Sequence, residues 1–288
     1  MKIRFNCIFI FLCALYTVGS AQGVFRTADS LFEKKDYRNA VIEYERVVYI
    51  YNDHIIRNQS IYKKAVCYKL LGEYEKACRQ LLRISFFGTT DSAQFLFHNE
   101  TAVCSFLAGR FEDTRSQLLQ IRQYTKDTFQ LKKIYLLEAL NFNELEEYSS
   151  AKESFSKYFE TNFKKTESDS LKLLFAEYFS KSGLPKFKSL KTAAILEYFP
   201  GLGLFYAGYP LLGTFNFILS AACLGAGVYE IYYGYYFTGY FVGAAMLSKF
   251  YFGGRSLTVQ KIIARNFQEK RKFNDKIRNT IYSLKPDK

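Results

Sequence analysis

Three kinds of residue recur in this chain at one interval. Ala28, Ala65, Ala102 and Ala139 lie 37 residues apart. The same step links Tyr37, Tyr74, Phe111 and Tyr148, and links Ala40, Ala77, Thr114 and Ala151. A small, an aromatic and a second small position kept in phase through four units constrain the chain to a repeat array, in which each unit buries its apolar face against its neighbours. In the second unit Ile61, Ala65 and Tyr68 recur at helical spacing, Gly72-Glu73 interrupts them, and Tyr74, Ala77, Leu81 and Ile84 resume the period. Each unit therefore reads as two antiparallel helices. Small residues set the distance between them, and the aromatic after the turn fills the space where the hairpin opens.

In these positions the units resemble the tetratricopeptide repeat. The matching residues are Ala28, Tyr37, Ala40 and Tyr44; Ala65, Tyr74, Ala77 and Leu81; Ala102, Phe111, Thr114 and Leu118; and Ala139, Tyr148, Ala151 and Phe155. The chain departs from that family in its step, 37 against the usual 34, in having no Trp, and in lacking the proline that closes a unit. One further step from Ala139 reaches Ala176 within Leu171–Lys181, after which Gly183 and Pro185 end the pattern. Four repeats over 23–160 and a cap helix with linker over 161–190 follow. The resemblance implies a concave wall built from the first helix of each unit. Carried over, its positions are Phe25 and Phe32; Tyr62, Val66 and Lys69; Leu96, Asn99, Val103 and Phe106; and Leu136, Leu140 and Asn143. This wall is mostly apolar and aromatic, which suits a protein or apolar peptide segment bound by side-chain burial. The competing reading packs the same residues against the cap or the membrane module.

The N-terminus reads as an export signal. Lys2 and Arg4 precede an apolar run from Phe5 to Val18, and Gly19-Ser20-Ala21 supplies the small residues of a cleavage site before Gln22. An uncleaved anchor is the alternative, and either version puts the repeats outside the cytoplasm. A second apolar region occupies 191–254. Within it, about 212–231 and 235–252 read as a transmembrane helical hairpin around the turn Tyr232-Tyr233-Gly234. Ala221 with Gly225, and Gly239 with Gly243, are the small residues expected to bring its helices together. A buried hairpin in a soluble core is the alternative. The lead-in Pro200-Gly201-Leu202-Gly203-Leu204-Phe205-Tyr206-Ala207-Gly208 resembles that of small two-helix membrane modules related to the TM2 domain. That resemblance implies an anchor and adds little mechanism.

Charge is unevenly spread in a chain of net charge +13. Lys186, Lys188 and Lys191 precede the hairpin, and Lys249, Arg255, Lys261 and Arg265 follow its turn, which would place both flanks in the cytoplasm by the positive-inside tendency. The export signal argues the opposite and acts first during synthesis. From Lys261 to Arg278 seven basic residues accompany Ile263, Phe267, Phe273 and Ile277 at roughly helical spacing. This tail, 255–288, can lie on anionic membrane lipids or dock on its own chain. Nucleic-acid binding is not expected, since no recognition motif accompanies the charge.

Catalysis is not expected either. His54 and His98 have no partner cluster and read as surface or groove residues, and no nucleophile, metal or phosphate motif occurs. No metal and no cofactor is anticipated, and Cys67, Cys78 and Cys104 read as small buried side chains. The sequence thus describes an all-α chain, a helical-hairpin solenoid followed by a transmembrane hairpin. The function it implies is a membrane-tethered scaffold on the extracytoplasmic, periplasmic side, active in envelope assembly or protein handling. The alternative is a transport or insertion subunit whose membrane module is the active part, with Lys249 functional.

Overall fold

Four residues at the same 37-residue step adopt left-handed backbone: Lys35 (φ 62°), Gly72 (76°), Gly109 (75°) and Glu146 (64°). The computed structural model describes residues 23–125 and 127–284, so the export signal expected over 1–22 lies outside the described residues. Within them the helices of the first part are α1 (Arg26–Glu33), α2 (Tyr37–Ile50), α3 (His54–Leu70), α4 (Tyr74–Leu81), α5 (Asp91–Leu107), α6 (Phe111–Tyr124), α7 (Thr128–Glu144), α8 (Tyr148–Asn162) and α9 (Lys165–Tyr178). No strand occurs among the described residues.

The left-handed residue ends the first helix of every unit in the same way. Its N–H and that of the next residue turn back on the helix, as Gly72 N–H to the Lys69 carbonyl (3.0 Å) and Glu73 N–H to the Tyr68 carbonyl (2.9 Å). Arg110 and Glu147 repeat the second bond to Ser105 and Phe142 at 2.8 and 2.9 Å. This closes the orphan carbonyls at a helix end and reverses the chain within three residues. The other end is also periodic. Asp53, Thr90 and Asp127, again 37 apart, cap α3, α5 and α7 with side-chain oxygens accepting from Ile55, Ala93 and Phe129 N–H.

A full unit is therefore a 17-residue helix such as α5, a three-residue turn, a 14-residue helix such as α6 and a three-residue link. The alanines of both columns are at most 1 % exposed, and Thr114 stands in one column at 0 % because its hydroxyl donates to the Arg110 carbonyl at 3.1 Å. Tyr44, Leu81, Leu118 and Phe155 fill the hairpins and are equally buried. Phe175 of α9 packs on Phe155 and Phe159 with ring centroids 4.8 Å from each.

Neighbouring units are also tied by charge. Lys63 meets Asp29 at 2.8 Å, and Glu45 receives Lys64 at 2.8 Å and Arg83 at 3.1 Å. Arg122 grips Glu138 with two bonds of 2.7 and 2.6 Å. Burial would raise the Glu45 carboxyl, but hydrogen bonds from Arg83 and Lys64 outweigh it and hold the group below the usual carboxylate range.

The second compact unit begins at Glu177. It holds α10 (Leu190–Leu196), α11 (Leu202–Ala207), α12 (Pro210–Tyr232), α13 (Tyr236–Gly239) and, after a π-helical turn at Tyr240–Ala245, α14 (Met246–Ser283). From Tyr236 to Ser283 the helical path is unbroken, so the expected second span has no helix end near 252. Ala193, Ala207 and Ile262 join α10, α11 and α14 in one apolar cluster. Asn266 clasps the backbone of Lys188 with bonds of 2.8 and 2.9 Å, and Arg265 donates to the Ala207 carbonyl at 2.9 Å. Farther along the basic tail Phe273 and Ile277 are buried, Phe273 edge-on to Phe179, while Ile263 and Phe267 are exposed.

The turn residues make a direct test. An L-residue held left-handed costs about 1–2 kcal/mol, and glycine's extra unfolded freedom offsets about half of that. Glu146→Gly should raise the stability of the chain by about 0.5–1 kcal/mol, and Gly72→Ala, whose new methyl meets no atom within 4 Å, should lower it by a similar amount in thermal or denaturant unfolding.

Candidate functional site

Eight of the wall residues fall into two columns at the repeat step. Phe25, Tyr62, Asn99 and Leu136 form one, and Phe32, Lys69, Phe106 and Asn143 the other; all but Asn143, which is buried, are partly exposed. The second column is largely engaged in its own hairpins. Phe32 lies edge-on to Tyr37 at 5.4 Å and Phe106 edge-on to Phe111 at 5.6 Å. Lys69 is ion-paired to Glu100 at 2.5 Å. In the first column Phe25 lies under the Lys63 ammonium at 4.6 Å, and that ammonium is held by Asp29. Val66, Val103 and Leu140 lie between the columns, partly buried.

The structure opens the wall between α3 and α5. A cavity of about 360 Å³ lies between the N-terminal halves of α3 and α5, lined by Ile55, Tyr62, Lys63, Ala93, Leu96 and Phe97 among others. Of the residues expected to bind, it gathers Tyr62 and Leu96. Tyr62 packs on Phe97 with centroids 5.7 Å apart. Burial, aided by the Glu100 carboxylate, raises the Tyr62 phenol above its ordinary value, so it stays a neutral hydrogen-bonding group. Ile55 and Leu96 leave 69 % and 42 % of their surface exposed.

Part of the cavity's lining, Gly88–Thr90, belongs to a loop that is long because α4 is short. Periodicity carries the second helix of that unit through Ile84, but it ends at Leu81 and a loop of nine residues, Leu82–Thr90, takes the place of its last turns. The loop is fixed by Asn58, whose amide donates to the Ser85 carbonyl at 2.6 Å and accepts from the Ser85 N–H at 3.1 Å. Phe86 stacks flat on His98 at 4.4 Å, while Phe87 stays 83 % exposed. His98 is thus buried rather than a surface or groove residue, and its Nδ1 faces the Gln117 amide oxygen at 2.8 Å. His54 opens α3 and is exposed. Asn58, Ile55 and the loop aromatics are what sequence reading missed. Asn58 shares its column with Phe95 and Lys132, so the column itself carried no signal.

Cys67, Cys78 and Cys104 are free and buried. Burial pushes the Cys67 thiol up to about 12 and raises the other two, which leaves them poor nucleophiles. Among the described residues no group of three or more His, Cys, Asp and Glu side chains is placed to hold a metal ion.

In the second unit α12 is long and apolar enough to cross a bilayer, with mean hydropathy 1.7, and it alone meets that description among the described residues. It runs antiparallel to α13, the π turn and the start of α14, and the backbones touch at Gly227 and Gly243. A methyl on Gly243 would lie 2.8 Å from the Gly227 Cα, and one on Gly239 would lie 2.6 Å from Ile231. Gly239 and Gly243 thus stand at the crossing, and Gly227, not Gly225, is their counterpart. Gly225 has nothing within 4 Å, and Ala221 is exposed along an apolar groove of about 630 Å³. At about 100° per residue Gly225 is turned some 200° from Gly227.

Residues 59–84 match the family model of the tetratricopeptide repeat. The match covers α3 from Gln59, the left-handed turn at Gly72 and α4 to Ile84, which is one helical hairpin of the array. It marks the chain as one containing a tetratricopeptide repeat, a unit that generally binds protein partners. No curated protein and no solved structure matches the chain.

The hairpin contact predicts a contrast between near neighbours. Gly227→Val should separate the two helices and lower the melting temperature of the full chain, whereas Gly225→Val should leave it unchanged, as read by thermal unfolding of the purified protein.

Proposed function

We propose that this chain is a membrane-tethered scaffold whose repeat array binds an apolar or amphipathic segment of a partner protein. The observation that carries this reading is the cavity beside Tyr62 and Leu96, which lies on the unit that matches the tetratricopeptide repeat and exposes apolar surface with few charges. An apolar side chain of the partner fills it, and the Tyr62 hydroxyl and the loop backbone at Gly88 and Thr89 supply polar contacts at its edge. Binding of this kind needs no reactive group, and we assign the chain no catalysis.

The membrane tether is argued from α12. Its 23 residues extend about 34 Å, enough for a hydrocarbon core of about 30 Å. Phe215, Ile218, Leu224 and Val228 turn outward from it. Tyr229, Tyr232, Tyr233, Tyr235 and Tyr236 are exposed around the turn, where an aromatic belt belongs. The second span is the helix from Tyr236 to the region of Arg255. Export directed by residues 1–22 puts the repeats on the extracytoplasmic, periplasmic side, where the scaffold works in envelope assembly or protein handling. The groove of about 630 Å³ beside Ser220 favours a second reading, in which the hairpin is itself the working part of a transport or insertion subunit.

A photoreactive residue at Leu96 in intact cells should capture a partner protein that a probe at exposed Arg46 does not. Tyr62→Glu and Ile55→Glu should each lower that capture by about tenfold with helical content unchanged by circular dichroism. Undiminished capture from both variants would remove the cavity from the mechanism. A wild-type phenotype for these variants, with loss of function on filling the Ser220 groove by Ala221→Phe, would favour the second reading.

A further inference from the structure

Lys249 is the charge that the hairpin does not explain. The register of the two helices is set by Gly227 against Gly243, by Ile231 beside Gly239, and by the Asn216 amide donating to the Phe250 carbonyl at 3.2 Å. Lys249 lies between the last two levels, close to that of Ser220. Along its own helix Lys249 lies about 20 Å from Tyr236 and about 9 Å from Arg255, so on the spanning reading proposed above its Cα stands within the hydrocarbon, nearer the Arg255 end. The residue is exposed, as are Ala245 and Phe252 on the same side of the helix, and it has no ion pair or hydrogen bond among the described residues.

Snorkelling serves it poorly: a helical Cα–Cβ bond tilts toward the helix N-terminus, which here is the Tyr236 end, so the stem must turn back along the helix to approach the nearer interface. The next charge, Arg255, lies six residues on, about 9 Å away in the opposite direction. A second copy of the chain cannot supply a counter-charge either. Between Pro210 and Gly254 the only carboxylate is Glu230, which lies two residues from the Tyr232 end, and copies inserted in the same sense would bring lysine to lysine. An ionisable side chain on the lipid face of a span is costly and is retained where another membrane segment pairs with it.

We propose that Lys249 docks a membrane helix of a different protein, one that carries an aspartate or glutamate within its span. The side of the hairpin formed by Ala245, Lys249 and Phe252 is the docking face, with the small residue at 245 admitting a close approach. The proposal rests on the spanning reading, and its test separates the two. In the full chain with Cys223→Ser, a cysteine at 245 should resist a water-soluble maleimide in sealed membranes. Ready labelling would overturn the spanning reading and the docking together. With protection established, a photoreactive residue at 245 should capture an apolar segment that sequencing shows to contain Asp or Glu. Lys249→Leu should lower capture by about tenfold and Lys249→Arg should retain it. Lys249→Asp should regain capture when the partner's carboxylate is changed to lysine. Leucine is better tolerated in hydrocarbon than lysine, so the loss cannot be laid to failed insertion. Crosslinks only to lipid or to a second copy, a captured segment without a carboxylate, or undiminished capture by Lys249→Leu would overturn the docking and leave the anchor standing.

Discussion

Each hairpin buries one small residue from each of its two helices. Ala65 and Ala77 are both fully buried in one cluster, and the same holds by position for the other units, with Thr114 as the single enlargement. That pair of small residues fixes how far apart the helices run, and the aromatic and aliphatic residues at 44, 81, 118 and 155 fit the space it leaves. A larger side chain at such a position would cost about 1–3 kcal/mol in overpacking, and it would also shift the partner helix against which the next unit stacks. The left-handed turn is its companion, because two helices can approach at alanines only if the chain reverses within three residues. Lys35 and Glu146 take that conformation without being glycine, which shows that the position is dictated by the fold and not by the residue occupying it.

The array was legible because its signal is redundant. Four copies of one pattern average out the substitutions that obscure any single one, so Thr114 and the missing prolines did not hide the hairpins. The turns at Gly72 and Gly109 are marked by glycine, but those at Lys35 and Glu146 follow only from the period. What was not legible is where a copy departs from the rule. The early end of α4 removes no column residue from the repeat signature, since Leu81 is still present and buried, and so the sequence reads on as helix through Ile84.

The candidate site lies at that departure, which explains why it was only half anticipated. Tyr62 was named by its column and Leu96 as a wall position of α5, but neither placement says which neighbours stand away from it. The loop Leu82–Thr90 does, and among the groups that hold it is the amide of Asn58, in a place where a helical pattern gives no reason to expect function. Asn143 fails for the converse reason: its column is partly exposed in the other units, and here it is buried. The glycines of the second unit show the same limit. Composition pointed to close helix contact, yet Gly225 and Gly227 differ only by a rotation about the helix axis that no spacing rule decided.

The helix that leaves the turn at Tyr235 does not stop where its apolar stretch ends. It continues through Arg255 and Arg265 to Ser283, a rod of about 70 Å by its rise. Its azimuth is set at one end by Gly243 against Gly227 and farther along by Asn266 against Lys188 and Phe273 against Phe179. A flexible joint between these points would let each end turn freely, but a continuous helix transmits torsion. The apolar half and the basic half therefore behave as one shaft, and the number of residues between Gly243 and Asn266 is fixed as tightly as the residues themselves.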